Sequence, residues 1–131
     1  MTLIKFKQLA TAVALSIPFI VVGAETTLAG SANYGSIAYS RRTGGMGWST
    51  NYATRKAAER RATRECERYS GSGDCKPVVW VRNACAALAT ASNRGYGWAW
   101  NTRRDRAVQR ALVECSKRGR FCKVRRVICP R

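Results

Sequence analysis

The chain has 131 residues, with 24 Lys plus Arg against 7 Asp plus Glu, no His, and a formal charge of +17. Without His there is no Ser-His or Cys-His couple, no imidazole base and no His-ligated metal, which removes the commonest routes to catalysis and to a zinc site. Arginine supplies 18 of the 24 cations, and such a surface favours polyanions.

Residues 1–24 read as a secretory signal peptide. Lys5 and Lys7 form a positive n-region, Leu9 to Val22 is apolar apart from Thr11, Ser16 and Pro18, and Val22-Gly23-Ala24 offers small residues for cleavage. Ala29 and Ala32 are later candidate cleavage points. The apolar run is shorter than the roughly 20 residues a spanning helix needs, so no stable membrane span is expected after its removal. Cleavage there takes two lysines and no acid, leaving +15 on 107 residues. Residues 25–33 are small and polar, a flexible lead-in. The expected localisation is secreted or periplasmic.

Residues 34–131 read as a single domain built from two repeats, about 34–84 and 85–131. Gly45-Met46-Gly47-Trp48 with Asn51 is echoed by Gly95-Tyr96-Gly97-Trp98 with Asn101, an offset of 50. The offset becomes 49 at Cys66 and Cys115 and 47 at Cys75 and Cys122, the drift that short loop deletions produce. Each repeat predicts two strands (Ser36–Ser40 and Gly45–Thr50; Cys85–Ala91 and Gly95–Trp100), a helix (Arg55–Tyr69; Arg103–Lys117) and a closing strand (Pro77–Arg82; Lys123–Ile128). Arg41–Gly45 and Ser92–Gly95 fit hairpin turns. The fold class is therefore α+β, with two duplicated β-β-α-β units forming antiparallel sheet under two packed helices.

Helix boundaries carry their own signals. Thr54 and Thr102 are candidate N-caps, and Thr102 with Asp105 approximates a capping box. Gly71 and Gly119 stand where left-handed C-caps belong. Ala58, Ala62, Cys66 and Tyr69 make the inward stripe of the first helix, and Ala107, Val108, Ala111, Leu112 and Cys115 that of the second.

A small exported domain with Cys66, Cys75, Cys85, Cys115, Cys122 and Cys129 reads as disulfide-stapled. There is no C-x-x-C and no His to complete a metal set. Repeat symmetry favours Cys66–Cys75 and Cys115–Cys122, each tying a helix to its own strand. Cys85 and Cys129 remain and are expected to join the halves.

The functional candidates are cationic. Arg55, Lys56, Arg60, Arg61, Arg64 and Arg68 cover the outer face of the first helix. Arg103, Arg104, Arg106, Arg110 and Lys117 do so on the second, followed by Arg118, Arg120, Lys123, Arg125, Arg126 and Arg131. A merely solubilising surface mixes signs more evenly, so an anion-binding role is expected for these arginines. The signal specifies charge and not a base sequence. Tyr39, Trp48, Tyr52, Trp80, Tyr96, Trp98 and Trp100 accompany the charge. Trp48 and Trp98, at equivalent positions, read as structural, and Trp100 as packed beside Trp98. Stacking of bases or sugars between arginines is the alternative.

Enzyme readings are weak. Glu65, Glu67, Asp74 and Glu114 are the acids in positions suited to a paired-carboxylate hydrolase, and helix-surface ion pairs explain most of them better. A Ser nucleophile would have to use Lys56 or Lys76 as its base. No catalytic residue, metal site or cofactor is expected.

These residues resemble a bacterial secreted family, domain of unknown function number 4189. The resemblance rests on Tyr34-Gly35-Ser36-Ile37-Ala38-Tyr39-Ser40, Asn51 before an Ala-rich helix, Cys66 and Cys75 with Val78-Val79, Asn83-Ala84-Cys85-Ala86-Ala87-Leu88-Ala89, Ala111-Leu112 before Cys115, and Cys122 with Cys129. It spans about residues 34–129 and implies a small exported α+β domain without an assigned activity. Ala62-Thr63 replaces the usual Ala-Leu, and the helices are unusually rich in Arg. The expected function is an exported, non-catalytic basic module that binds an anionic polymer or acidic protein: envelope polymer, extracellular nucleic acid, or an acidic host or competitor protein. The alternatives are a cationic effector or membrane-active protein, and a His-independent hydrolase of an anionic polymer.

Overall fold

The computed structural model describes residues 32–131. The segment read as a signal peptide lies outside the described residues. The elements are β1 (Tyr34–Tyr39), β2 (Met46–Tyr52), α1 (Arg55–Ser70), β3 (Lys76–Arg82), β4 (Cys85–Thr90), β5 (Tyr96–Asn101), α2 (Arg104–Ser116) and β6 (Lys123–Ile128). They form two antiparallel three-stranded sheets, ordered β2-β1-β3 and β5-β4-β6. The two β-β-α-β units expected from the repeat are thus present, each with its own sheet.

Period-2 alternation splits each central strand between two environments. Ile37 and Tyr39 of β1 and Val79 and Val81 of β3 cluster with Ala86 and Leu88 of β4 and Ile128 of β6. The sheets therefore face each other across an aliphatic layer. The opposite faces meet helices: Ala38 packs with Ala62 and Cys66 of α1, and Ala87, Ala89 and Ala99 with Ala107, Ala111 and Cys115 of α2. The result is four layers, helix–sheet–sheet–helix, with α1 and α2 outermost.

Glycine sets how close the helices lie. A Cβ on Gly47 would stand 2.2 Å from Ala62 O and Cys66 N, and one on Gly97 2.1 Å from Cys115 N. Backbone therefore seats on backbone in both halves. Ser49 Oγ donates to Ala58 O at 2.6 Å across the same contact.

The helix ends differ. Thr54 Oγ1 accepts from Ala57 N at 3.1 Å, and Gly71 (φ 61°) closes α1 in the left-handed region with its N–H on Glu67 O, both as expected. At α2 the expected Thr102 cap is absent. Arg103 holds the N-cap position without a side-chain cap bond, and Asn101 Oδ1 accepts from Arg103 N at 2.9 Å instead. The capping box gives way because Asn101 already turns the chain one residue earlier. Gly119 is not a left-handed cap either: α2 ends into Lys117 in the right-handed region, and Gly119 is outside the positive-φ set. It is required by crowding, since its Cβ would meet Asn93 Oδ1 at 2.3 Å and Ala91 Cβ at 2.5 Å.

The pairings Cys66–Cys75, Cys115–Cys122 and Cys85–Cys129 all form. Cys85–Cys129 does not join the halves, however. Cys85 opens β4 and Cys129 follows β6, adjacent strands of the second sheet, so the bond closes that sheet upon itself. The halves are held by the apolar layer between the sheets. Tyr69 also departs from expectation: the buried stripe of α1 stops at Cys66, and Tyr69 is 76% exposed.

Candidate functional site

On β5, Gly97 and Ala99 face α2, so Tyr96, Trp98 and Trp100 point the other way. Tyr96 is covered by Tyr39, ring centroids 5.2 Å apart. Trp98 and Trp100, further along this edge strand, remain 41% and 56% exposed. Trp48 of β2 is 40% exposed in the same manner. The expectation that these indoles are core is therefore wrong. A helix seated on glycine leaves no room for Trp on the inner face, and the opposing three-stranded sheet does not reach the outer ends of the edge strands.

The exposed indoles lie in grooves where the sheets meet at their edges. The first groove, between β3 and β5, has a volume of about 590 Å³ and is lined by Tyr34, Trp80, Trp98 and Trp100 with Arg55, Glu59 and Arg82. The Arg55 guanidinium lies 4.6 Å from the Trp80 ring centre and that of Arg82 lies 5.2 Å from Tyr34. Arg55 Nε also donates to Glu59 Oε1 at 2.6 Å, whereas Arg82 has no carboxylate at ion-pair distance among the described residues.

The second groove, about 620 Å³, lies where β2 meets β6 and holds Trp48, Tyr52, Arg61, Tyr69, Arg125 and Arg126. Arg126 stacks 4.6 Å from the Trp48 ring centre. A third, along the free edge of β5 beside α2, is lined by Arg110, Glu114 and Arg118 together with Trp98 and Trp100.

The arginines expected to bind anions therefore separate. Arg55 joins the first groove, Arg61, Arg125 and Arg126 the second, and Arg110 and Arg118 the third. Arg60 and Arg64 line a shallow surface on α1 with Lys56. Arg68, Arg103, Arg104, Arg106 and Arg120 stay exposed outside these grooves. Because α1 and α2 are opposite outer layers, the two helical sets form two basic faces and not one. Ion pairs reach Arg55, Arg61, Arg68, Arg103 and Lys117. Arg60, Arg64, Arg104, Arg106 and Arg110 have no carboxylate within 4 Å among the described residues. Tyr34 and Arg82 escaped the sequence reading as site residues, because nothing in their spacing marks them. Their signal is positional: they pair across β1 and β3 at the place where the second unit carries Cys85 and Cys129.

The acids are committed elsewhere. Glu65 pairs with Arg61 at 3.1 Å. Glu114 accepts from Lys117 at 2.9 Å, which holds its carboxyl below the usual carboxylate range. Glu67 accepts from Gly73 N and Cys75 N. Asp74 accepts from Ser40 Oγ at 2.6 Å and from Ser72, and these hydroxyls hold its pKa at about 2. Glu65 and Glu114 sit on opposite outer layers and cannot converge on one bond. Among the described residues no cluster of three or more His, Cys, Asp or Glu could hold a metal ion, and no helix is long and apolar enough to cross a membrane.

A solved structure shares the fold: the NMR structure of Rv1813c from Mycobacterium tuberculosis, 25% identical, covering 75% of each chain with a TM-score of 0.53. No curated protein matches the sequence. The profile of a family described as a domain of unknown function, DUF4189, matches residues 34–129, Tyr34 to Cys129, and so takes in both units with all three disulfides; the chain belongs to that family.

Proposed function

We propose that the protein is an exported, non-catalytic binding module for an anionic partner, delivered by cleavage of the signal peptide at residues 1–24 to the periplasm or the medium. The observation that carries this reading is the set of exposed helical arginines without carboxylates in reach (Arg60, Arg64, Arg104, Arg106 and Arg110), on a chain of formal charge +17. Like charges held at this density destabilise the compact state and are relieved by a polyanion. Three disulfides fit an oxidising destination. Glu65, Glu67, Asp74 and Glu114 are each held by helix cations, backbone amides or serine hydroxyls, which supports a non-catalytic role.

A membrane-active role is less favoured. The apolar stripes, Ala58, Ala62 and Cys66 on α1 and Ala107, Ala111 and Cys115 on α2, are fully buried against the sheets, so neither α1 nor α2 has that stripe available to enter a bilayer. The test is chromatography of the oxidised protein on immobilised heparin and on DNA-cellulose. Retention through about 0.1 M salt, where the Debye length is about 10 Å, with elution at higher salt is expected. Flow-through on both matrices overturns the reading.

A further inference from the structure

We infer that the groove between β3 and β5 binds single-stranded nucleic acid, stacking bases on Trp98 and Trp100 while Arg82 meets the phosphates. The inference rests on the anionic-partner reading and names the partner's class.

Three observations carry it. First, two of the indoles here, Trp98 and Trp100, carry no stacked group, whereas Trp80 lies under Arg55. Ile37 pairs with Trp48 and Val79, and Leu88 pairs with Trp98 and Arg126. Val79 and Arg126 are therefore equivalent positions in the two units. Arg126 covers Trp48 in the other groove, but its counterpart Val79 is buried in the aliphatic layer. Trp98 keeps its exposed face, and among the described residues no guanidinium or ring stacks on it or on Trp100.

Second, one cation of the groove is held in place without a carboxylate: Arg82, whereas Arg55 is paired with Glu59. The Arg82 guanidinium stacks 5.2 Å from the Tyr34 ring centre at the groove, and among the described residues no carboxylate lies at ion-pair distance from it. A rigid fork beside a ring is the arrangement suited to a phosphodiester.

Third, the polar inventory fits bases better than sugars. No Asn, Gln or Asp lines the groove, and its carboxylate, Glu59, is already bonded to Arg55. A glycan subsite needs such groups to fix hydroxyls. Base stacking needs none, since every base presents a π-face, and the groove is then tolerant of sequence.

The experiment titrates the oxidised protein with a fluorescein-labelled short oligothymidylate at several salt concentrations, with heparin oligosaccharide as competitor. Trp98→Ala with Trp100→Ala is expected to weaken oligothymidylate binding on the order of tenfold with the salt slope unchanged. Trp48→Ala is expected to weaken it less than about twofold, because Arg126 already occupies that ring. Trp100→Phe retains a stacking surface and should recover most of the affinity if the double variant folds poorly by far-ultraviolet circular dichroism. In the unchanged protein, oligothymidylate should quench indole fluorescence and heparin should not. Equal affinity in all variants, or equal dependence of heparin binding on Trp98 and Trp100, overturns the inference while the anionic-partner reading stands. Absence of binding to both polyanions overturns both.

Discussion

The two β-β-α-β units share a scaffold and differ at its edges. Both seat a helix on a glycine, Gly47 or Gly97, and both tie that helix to the next strand by a disulfide. The registers make Gly35 and Ala86 equivalent, with Val81 and Ile128 as their partners. One residue further along, the second unit has the Cys85–Cys129 bond and the first has Arg82 stacked on Tyr34. In the other direction along the strand Trp80 answers to Val127 and Val79 to Arg126. The second sheet is thus locked covalently and carries the guanidinium that covers Trp48. The first sheet is closed by a cation–π contact, and the groove beside it is open and aromatic. Duplication has kept what packs the layers and changed what faces solvent at the sheet junctions.

The largest effect expected from breaking this comparison is in the covalent closure. Cys85–Cys129 spans 44 residues, against 9 for Cys66–Cys75 and 7 for Cys115–Cys122. In the chain-entropy account the long loop contributes about 4 kcal/mol and each short one about 2.5 kcal/mol. Replacing Cys85 and Cys129 by Ala should therefore lower the unfolding free energy in urea by more than replacing either short pair. Equal losses from all three would place the stabilisation in local packing and not in loop closure.

The next effect should be the same in both halves. Gly97→Ala drives a methyl into Cys115 N and Ala111 O, and Gly47→Ala into Ala62 O and Cys66 N. These are backbone atoms within helices, so a whole helix must lift. Each substitution should cost on the order of 3 kcal/mol, read as a matched fall in urea midpoint. A large loss in one unit with tolerance in the other would show that the helices are not seated equivalently.

These glycines also show what the sequence could and could not disclose. The order and approximate place of strands and helices, the two-unit organisation and the two short disulfides were legible because each repeat checked the other, and Cys85–Cys129 followed as the remaining pair. The role of Cys85–Cys129 was not legible, since symmetry offers no counterpart from which to place it. Alternation put Trp98 and Trp100 on one face of β5, but not on which side of the sheet the core lay. The deciding signal was Gly97 between Tyr96 and Trp98: a missing Cβ marks the face against which another backbone closes. Tyr34 and Arg82 were invisible for a different reason, because a cation–π contact across two strands has no fixed spacing along the chain. The arginines were legible as a charge but not as a site, since layer order places α1 and α2 apart.

A smaller change should turn one groove toward the other. Arg126→Val gives the second unit the residue its counterpart has. It removes the guanidinium from Trp48, at a cost of about 1 kcal/mol or less for an exposed cation–π contact. Acrylamide should then quench the already half-exposed Trp48 more strongly. Unchanged quenching would mean that Trp48 is shielded by Arg61, Arg125 or Tyr69, and that Arg126 is not what distinguishes the grooves.

The smallest effect separates the two hairpin turns by pH. Asp74 and Phe121 each directly precede the second cysteine of their short disulfides, so they are equivalent positions of opposite character. Asp74 Oδ1 accepts from Ser40 Oγ at 2.6 Å and Oδ2 from Arg42 N at 3.2 Å, tying the Cys66–Cys75 loop to the β1–β2 turn. The second turn uses Asn93 instead, which accepts from Gly95 N and donates to Arg118 O and does not titrate. The pKa of Asp74 is about 2, below the ordinary value near 3.9. Its contribution is therefore complete above about pH 4 and is lost as pH falls toward 2. Hydrogen-exchange protection of Gly44 N, which donates to Ser40 O at 2.8 Å, should fall over that interval once corrected for intrinsic exchange. Protection of Ala91 N, which donates to Gly95 O at 2.7 Å, should hold. Glu114 also titrates below the usual carboxylate range, but it acts on α2 and not on either turn. Asp74→Asn should abolish the pH dependence at Gly44 alone. Parallel loss at both turns would mean that acid loosens the whole molecule through its rising net charge, and that this local asymmetry between the units carries no separate weight.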